Sequence, residues 1–209
     1  MNIAIVGATG NVGRKTLEVL EKKGLTLGNL YLVASSKSAG KKIHFQGKDI
    51  IVSELENFDF SKVKIAFFAA GGKISEKFAE KAAKHCLVID NSSFFRMDPD
   101  VPLIVPQVNS DDLNNLKKNI IANPNCSTAQ LVIALKPLHD LFVIKRIVVS
   151  TYQSVSGAGK ASMDELIKQT KLALDGKDIK SENFTKPIAF NAIPPVSYTH
   201  LRAHETEEN

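Results

Sequence analysis

Short, uninterrupted apolar runs alternate with helical patterns along the first third of the chain. Residues 3–6, 30–34 and 65–69 are apolar throughout, as expected of strands covered on both faces. Between the first two, Val12, Thr16, Leu17, Val19 and Leu20 recur at helical spacing and Gly24 punctuates the end. A lysine- and alanine-rich stretch over residues 75–84 predicts a second helix, and residues 87–89 a further strand that ends at Asp90. Strands alternating with helices in this way read as βαβ units. The predicted fold class is therefore α/β, a Rossmann-like doubly wound parallel sheet with helices on both faces.

The pattern then loosens. Residues 94–109, rich in Pro and polar side chains, predict loops; residues 120–122 predict a short strand. The turn Asn123-Pro124-Asn125-Cys126-Ser127-Thr128 leads into a helix carrying Leu131, Ile133, Leu135 and Leu138. Residues 145–152 read as a new strand, followed by Ser156-Gly157-Ala158-Gly159 and a helix over 160–174. Because the sheet pattern restarts, the expected division is a nucleotide-binding domain over 1–127 and the beginning of an α+β substrate and dimerisation domain over 128–195. Residues 196–209 carry no clear amphipathic period and are expected to be a foreign, disordered tail.

Composition narrows the function classes. At 209 residues with 44% apolar and 23% charged positions, the chain has the make-up of an ordinary soluble globular protein. No apolar run approaches a membrane span, and the N-terminus reads as a strand rather than a signal peptide. Two cysteines suggest reduced thiols and a cytoplasmic setting. The net charge of +5 comes from lysine pairs scattered among acidic residues, without a basic stripe or interleaved aromatics, so no nucleic-acid partner is expected. No metal site is expected.

Gly7-Ala8-Thr9-Gly10-Asn11-Val12-Gly13 joins the first predicted strand to the first predicted helix. A dinucleotide site needs Gly7 for the tight turn, Gly10 so that backbone amides reach a pyrophosphate, and Gly13 for close helix–sheet packing. Thr9, Asn11 and Val12 complete the candidate loop. After the second strand come Ser35, Ser36, Lys37 and Ser38, with no carboxylate to hold a ribose 2′-hydroxyl. Three hydroxyls and a cation suit a 2′-phosphate instead, so NADP is the expected cofactor. Of the two cysteines, Cys86 sits at the mouth of a buried strand and reads as structural. Cys126 lies in a polar turn at a helix start, where backbone amides stabilise a thiolate and, with the Asn125 amide, could donate to an oxyanion. Spacing alone leaves its catalytic and structural readings both open.

The glycine loop, the segment Asp90-Asn91-Ser92-Ser93-Phe94-Phe95-Arg96, Val105-Pro106-Gln107-Val108-Asn109, the Cys126 turn and Ser150-Thr151-Tyr152-Gln153-Ser154-Val155-Ser156-Gly157-Ala158-Gly159 occur in this order. Together with Pro187 to Pro194 they resemble the bacterial-type aspartate-semialdehyde dehydrogenases. The resemblance implies that Cys126 forms an acyl thioester, that Arg96 binds phosphate or a phosphoryl group, that Gln153 positions substrate, and that Ser156 and Gly157 approach the nicotinamide. It implies NADP-linked interconversion of aspartate 4-semialdehyde and aspartyl 4-phosphate, in lysine, threonine and methionine biosynthesis, by a homo-oligomer. Lys37 stands where the family commonly has Arg; it keeps the charge and loses the planar fork.

The resemblance also implies a catalytic histidine farther downstream. His44, His85 and His139 fall outside the matching motifs, and His204 comes too early, so the chain by itself is expected not to turn over. N-acetyl-glutamyl-phosphate reductase is a neighbouring alternative with the same thiol chemistry, and a non-catalytic dinucleotide-binding fragment is another.

Overall fold

The three apolar runs do become adjacent strands. In the computed structural model, which describes residues 1–194, Ile3–Val6 (β1), Leu30–Ala34 (β2) and Ile65–Phe68 (β6) lie side by side and parallel. With Ser53–Glu54 (β5), Leu87–Asp90 (β7) and Ile120–Ala122 (β8) they form a six-stranded parallel sheet in the order β5-β2-β1-β6-β7-β8. Lys42–Phe45 (β3) and Lys48–Ile51 (β4) pair as a separate antiparallel hairpin. The order reverses beside β1, and in open sheets of this kind ligands bind at the carboxyl ends of the strands near that reversal.

Side-chain alternation gives each face of the sheet its own core. Ala4, Val6, Val33, Ala66 and Phe68 point to one side, where Phe78, Ala79 and Ala82 of the helix Gly72–Ala83 (α2) cover them. Ile5, Leu32 and Ala34 point to the other, against Leu17 and Leu20 of Asn11–Lys22 (α1) and Phe45 of the hairpin. The doubly wound α/β reading therefore holds. α2 begins earlier than its apolar period suggests, because Gly71 and Gly72, which look like the end of a strand, form the entrance to the helix.

Two compact units make up the chain, one of residues 1–145 and one from Arg146 onward. The first also contains Pro106–Asn109 (α3), a single turn inside the segment read as loop, and Cys126–Phe142 (α4). Nothing along α4 is buried, although it carries Leu131, Ile133, Leu135 and Leu138. In the second unit the expected strand over 145–152 is not formed: those residues pair with no strand among the described residues. Its β-branched sequence has the propensity, but a strand needs a neighbour to take its backbone hydrogen bonds. Ile147, Val148 and Tyr152 are exposed there. Lys160–Leu174 (α5) forms as expected and is the organising element of this unit.

Its polarity is inverted for a core helix. Glu165 and Gln169 are 4% and 2% exposed, and together they clamp the following loop. Glu165 accepts from the backbone amides of Glu182 and Asn183, from Asn183 Nδ2 and from Ser181 Oγ. Gln169 donates to Glu165 and to the Lys180 carbonyl and accepts from the amides of Ile188 and Ala189. Residues 195–209, which include His200, His204 and the expected tail over 196–209, lie outside the described residues. Among the described residues no helix is long and apolar enough to cross a membrane.

Candidate functional site

The loops after β1, β2, β7 and β8 leave the same, carboxyl edge of the parallel sheet, and they carry the site residues expected in the first unit. After β1, Gly7 turns with φ +86°, and a Cβ there would stand 2.7 Å from the Ala69 carbonyl oxygen at the end of β6. Gly13, buried on α1, lies so close to the loop that a Cβ would meet Gly7 O at 2.3 Å. The loop is thus folded onto its own helix. The first i→i−4 bond of α1 runs from Arg14 N to Gly10 O, so the amides of Asn11, Val12 and Gly13 precede the helical ladder. Such a first turn is a favourable place for a pyrophosphate. Here the residues present fit a dinucleotide: Gly7, Gly10 and Gly13 stand where a Cβ would crowd neighbouring backbone, which keeps the turn tight.

The second loop turns back toward the first. Ser36–Ser38 form a single 3-10 turn, and Thr9 Oγ1 donates to Ser38 Oγ at 3.4 Å, bridging the glycine loop to the segment after β2. Ser35, Ser36 and Lys37 are exposed. Among the described residues Lys37 makes no ion pair, which leaves its charge available to an anion.

On the far side of β6 stand the thiol and the arginine. Cys126 is the first residue of α4 and is exposed, and Asn125 before it is the helix N-cap. Asn125 Oδ1 accepts from Ser127 N at 3.1 Å and Ser127 Oγ at 2.9 Å, and the Cys126 thiol donates to the same oxygen at 3.5 Å. Sequence reasoning gave Asn125 an oxyanion-donating amide; the capping role of its oxygen is additional. Arg96, half-buried, donates through Nε to the Asn123 carbonyl at 3.0 Å and through Nη2 to the Asn91 carbonyl at 3.4 Å. The guanidinium is thereby tied to the turn that carries Cys126. Asn123 Nδ2 donates to Asn91 Oδ1 at 2.8 Å, a further brace between the loops after β7 and β8.

Cys86 behaves differently. It is buried, its thiol donates to Ala82 O at 3.4 Å, and burial pushes its pKa up to about 11. A thiol so raised is protonated and inert at neutral pH.

In the second unit Gln153 and Gly157 come together. A Cβ on Gly157 would lie 3.7 Å from Gln153 Cδ and Nε2, so the glutamine side chain folds over the glycine. Ser154 and Ser156 share a hydrogen bond of 2.6 Å between their hydroxyls, and the turn Val155–Ala158 leads through Gly159 into α5. Three residues of the first unit had no assigned role in the sequence: Asp90, Asn91 and Asn123. The signal for them was positional, since each is a polar residue at the end of an apolar strand or immediately after one.

The family model for "Semialdehyde dehydrogenase, NAD binding domain" matches residues 2–116, and that for "Semialdehyde dehydrogenase, dimerisation domain" matches residues 135–209. An aspartate-semialdehyde dehydrogenase of Rickettsia bellii is 48% identical over 100% of this chain, which spans 62% of the length of that relative. The crystal structure of aspartate semialdehyde dehydrogenase II from Vibrio cholerae, complexed with ASA, is 50% identical with a TM-score of 0.90, over 93% of this chain and 59% of that one. A Candida albicans aspartate semialdehyde dehydrogenase solved with NADP is 29% identical with a TM-score of 0.56, over 68% of this chain and 48% of that one. With the first model matching more than half of the chain and a relative 48% identical over its whole length, the chain belongs to the semialdehyde dehydrogenase family.

Proposed function

We propose that the chain carries the cofactor site and thiol centre of an NADP-dependent aspartate-semialdehyde dehydrogenase, which reversibly reduces aspartyl 4-phosphate to the 4-semialdehyde. The observation that carries this reading is the placement of Cys126 at the head of α4, in a turn held by Arg96, on the same sheet edge as the glycine loop. The domain division expected from the sequence, 1–127 for cofactor and 128–195 for substrate and dimerisation, belongs to the same proposal, as does a homo-oligomer.

The residues have separable tasks. Gly7, Thr9, Gly10, Asn11, Val12 and Gly13 bind the pyrophosphate, and Ser35, Ser36, Lys37 and Ser38 the 2′-phosphate. NADP, when bound, supplies or accepts hydride. In the reductive direction Cys126 Sγ displaces phosphate from the acyl phosphate and carries the acyl group as a thioester; in the oxidative direction phosphate cleaves that thioester to the acyl phosphate and frees the thiolate. Arg96 neutralises that phosphate with a planar fork, and Asn125 together with the first-turn amides of α4 stabilises the oxyanion. Gln153 orients the substrate, with Ser156 and Gly157 against the nicotinamide end.

Thiol labelling tests this. Cys126 should alkylate fast at neutral pH while Cys86 stays unlabelled, and NADP should protect Cys126 more strongly than NAD. Lys37→Ser should erase the difference between the two cofactors. Slow labelling of Cys126 with no protection by either dinucleotide overturns the reading. The chain alone is expected to bind and label without turnover, since none of the three histidines among the described residues belongs to the Cys126 turn: His44 pairs with Asp49 on the hairpin, His85 follows α2, and His139 is near the end of α4.

A further inference from the structure

Asp90, the last residue of β7, is 0% exposed, and every hydrogen bond to its carboxylate serves a loop or helix around the site. Oδ1 accepts from Ser75 Oγ of α2 at 2.7 Å and from Ser92 N at 3.0 Å, while Oδ2 accepts from Ser92 Oγ at 2.7 Å. Ser92 Oγ in turn accepts from Phe94 N at 3.1 Å, which sets the turn leading to Arg96. The backbone of Asp90 completes the brace, because its carbonyl accepts from Asn123 N at 2.8 Å, three residues before Cys126. One buried residue therefore holds both the arginine loop and the cysteine loop.

A carboxylate is a costly way to fill a core position unless its hydrogen bonds do something a methyl group could not. A purely structural plug could be apolar, as its neighbours Val88 and Phe68 are. The carboxylate instead accepts three short bonds from donors that point inward from a helix and a turn, and that fixes the turn in one conformation. Arg96 then has one position relative to the Asn123 carbonyl, and α4 begins at one place.

We propose that Asp90 is a positioning residue that aligns the Arg96 guanidinium with the Cys126 thiol, so that an anionic reaction partner is directed at the sulfur. This rests on the reading of Cys126 and Arg96 given above. Asp90 touches no substrate; it acts through Ser92 and through the Asn123 amide.

The test compares alkylation of Cys126 in the whole chain by iodoacetate and by iodoacetamide, each rate normalised to that of free cysteine and read at Cys126 by peptide mass. The neutral reagent reports accessibility, and the ratio reports whether a cation is aimed at the sulfur. In the wild-type chain the normalised ratio should favour the anion by roughly three- to tenfold at low salt, as expected of one nearby fixed charge. Asp90→Asn and Ser92→Ala should bring it toward unity while iodoacetamide labelling continues. Ser75→Ala, which breaks only the bond to α2, should lower the melting temperature and leave the ratio in place; Ser92→Ala also keeps the test alive if Asp90→Asn does not fold. A folded Ser92→Ala with the wild-type ratio, or a Ser75→Ala that loses it equally, overturns the proposal. Arg96→Gln separates the two readings. If it leaves the ratio unchanged, the assignment of Arg96 itself fails and takes the proposal with it; if it abolishes the ratio while the Asp90 and Ser92 variants do not, the positioning role alone fails.

Discussion

A methyl group at position 13 would stand 2.3 Å from Gly7 O and 2.8 Å from the Ala8 Cα, both backbone atoms that cannot move without dragging β1 or α1. Gly13→Ala should therefore cost about 1–3 kcal/mol of stability, the range of an overpacked site. It should weaken NADP binding as well, since the first turn of α1 would be pushed from the loop it faces. A thermal melt with and without NADP checks both, and an unchanged ligand-induced rise in melting temperature would count against the glycine loop as the cofactor cradle. At this scale much of the unit was legible: glycine spacing, the absence of an acid after β2, and the contrast between Cys86 and Cys126 all follow from residue type and flanking pattern. Asp90, Asn91 and Asn123 were not, because their importance lies in bonds to residues up to 33 positions away, which no local pattern encodes.

Among the elements, α5 shows a carboxylate used as a fastener. Burial would raise the pKa of Glu165, but donors from Glu182, Asn183 and Ser181 outweigh it and hold the carboxyl below its ordinary value. A folded-state pKa below the unfolded one means that the contribution to stability is present at neutral pH and is lost as pH falls through the folded value. Lys168 pairs with Glu182 on the same loop, so acid weakens both attachments together. Glu165→Gln should cost about 1–3 kcal/mol at neutral pH, the cost of leaving buried donors without a partner. It should also flatten the acid limb of a melting-temperature profile; an acid limb as steep as that of the wild type would be the contrary result. The elements also show where reading from pattern fails. Residues 145–152 have strand propensity with no partner strand among the described residues, whereas β3 and β4 pair as a hairpin although Lys42, His44 and Lys48 give them the polar look of a solvated loop. Pairing is a property of two segments, and periodicity reports on one.

For the whole molecule, the outstanding feature is apolar surface along and after α4. Leu141 and Phe142 are 74% and 76% exposed, with Leu138, Val143, Ile147 and Val148 also exposed. Apolar surface of this kind favours association between copies. Leu141→Asp combined with Phe142→Asp should reduce concentration-dependent association without lowering the melting temperature, measured by light scattering beside a thermal scan. If the double variant associates as strongly as the wild type, these side chains are not the sticky patch.

How such association proceeds is set by the rims of the sheet. The outer strand β8 does not present a bare ladder: Ala122 N donates to Pro102 O at 3.0 Å and Ile104 N donates to Ala122 O at 2.9 Å, so the preceding loop already occupies that flank. The opposite rim, β5, is two residues long and ends in Glu54. With one border flanked at Ala122 by its own polypeptide and the other short and ending in a charge, the rims of the six-stranded sheet give an incoming copy little ladder to extend. Any backbone-to-backbone joining of copies should accordingly start from segment 145–152, unpaired among the described residues, and not from this sheet, and a Val148→Pro variant should suppress it.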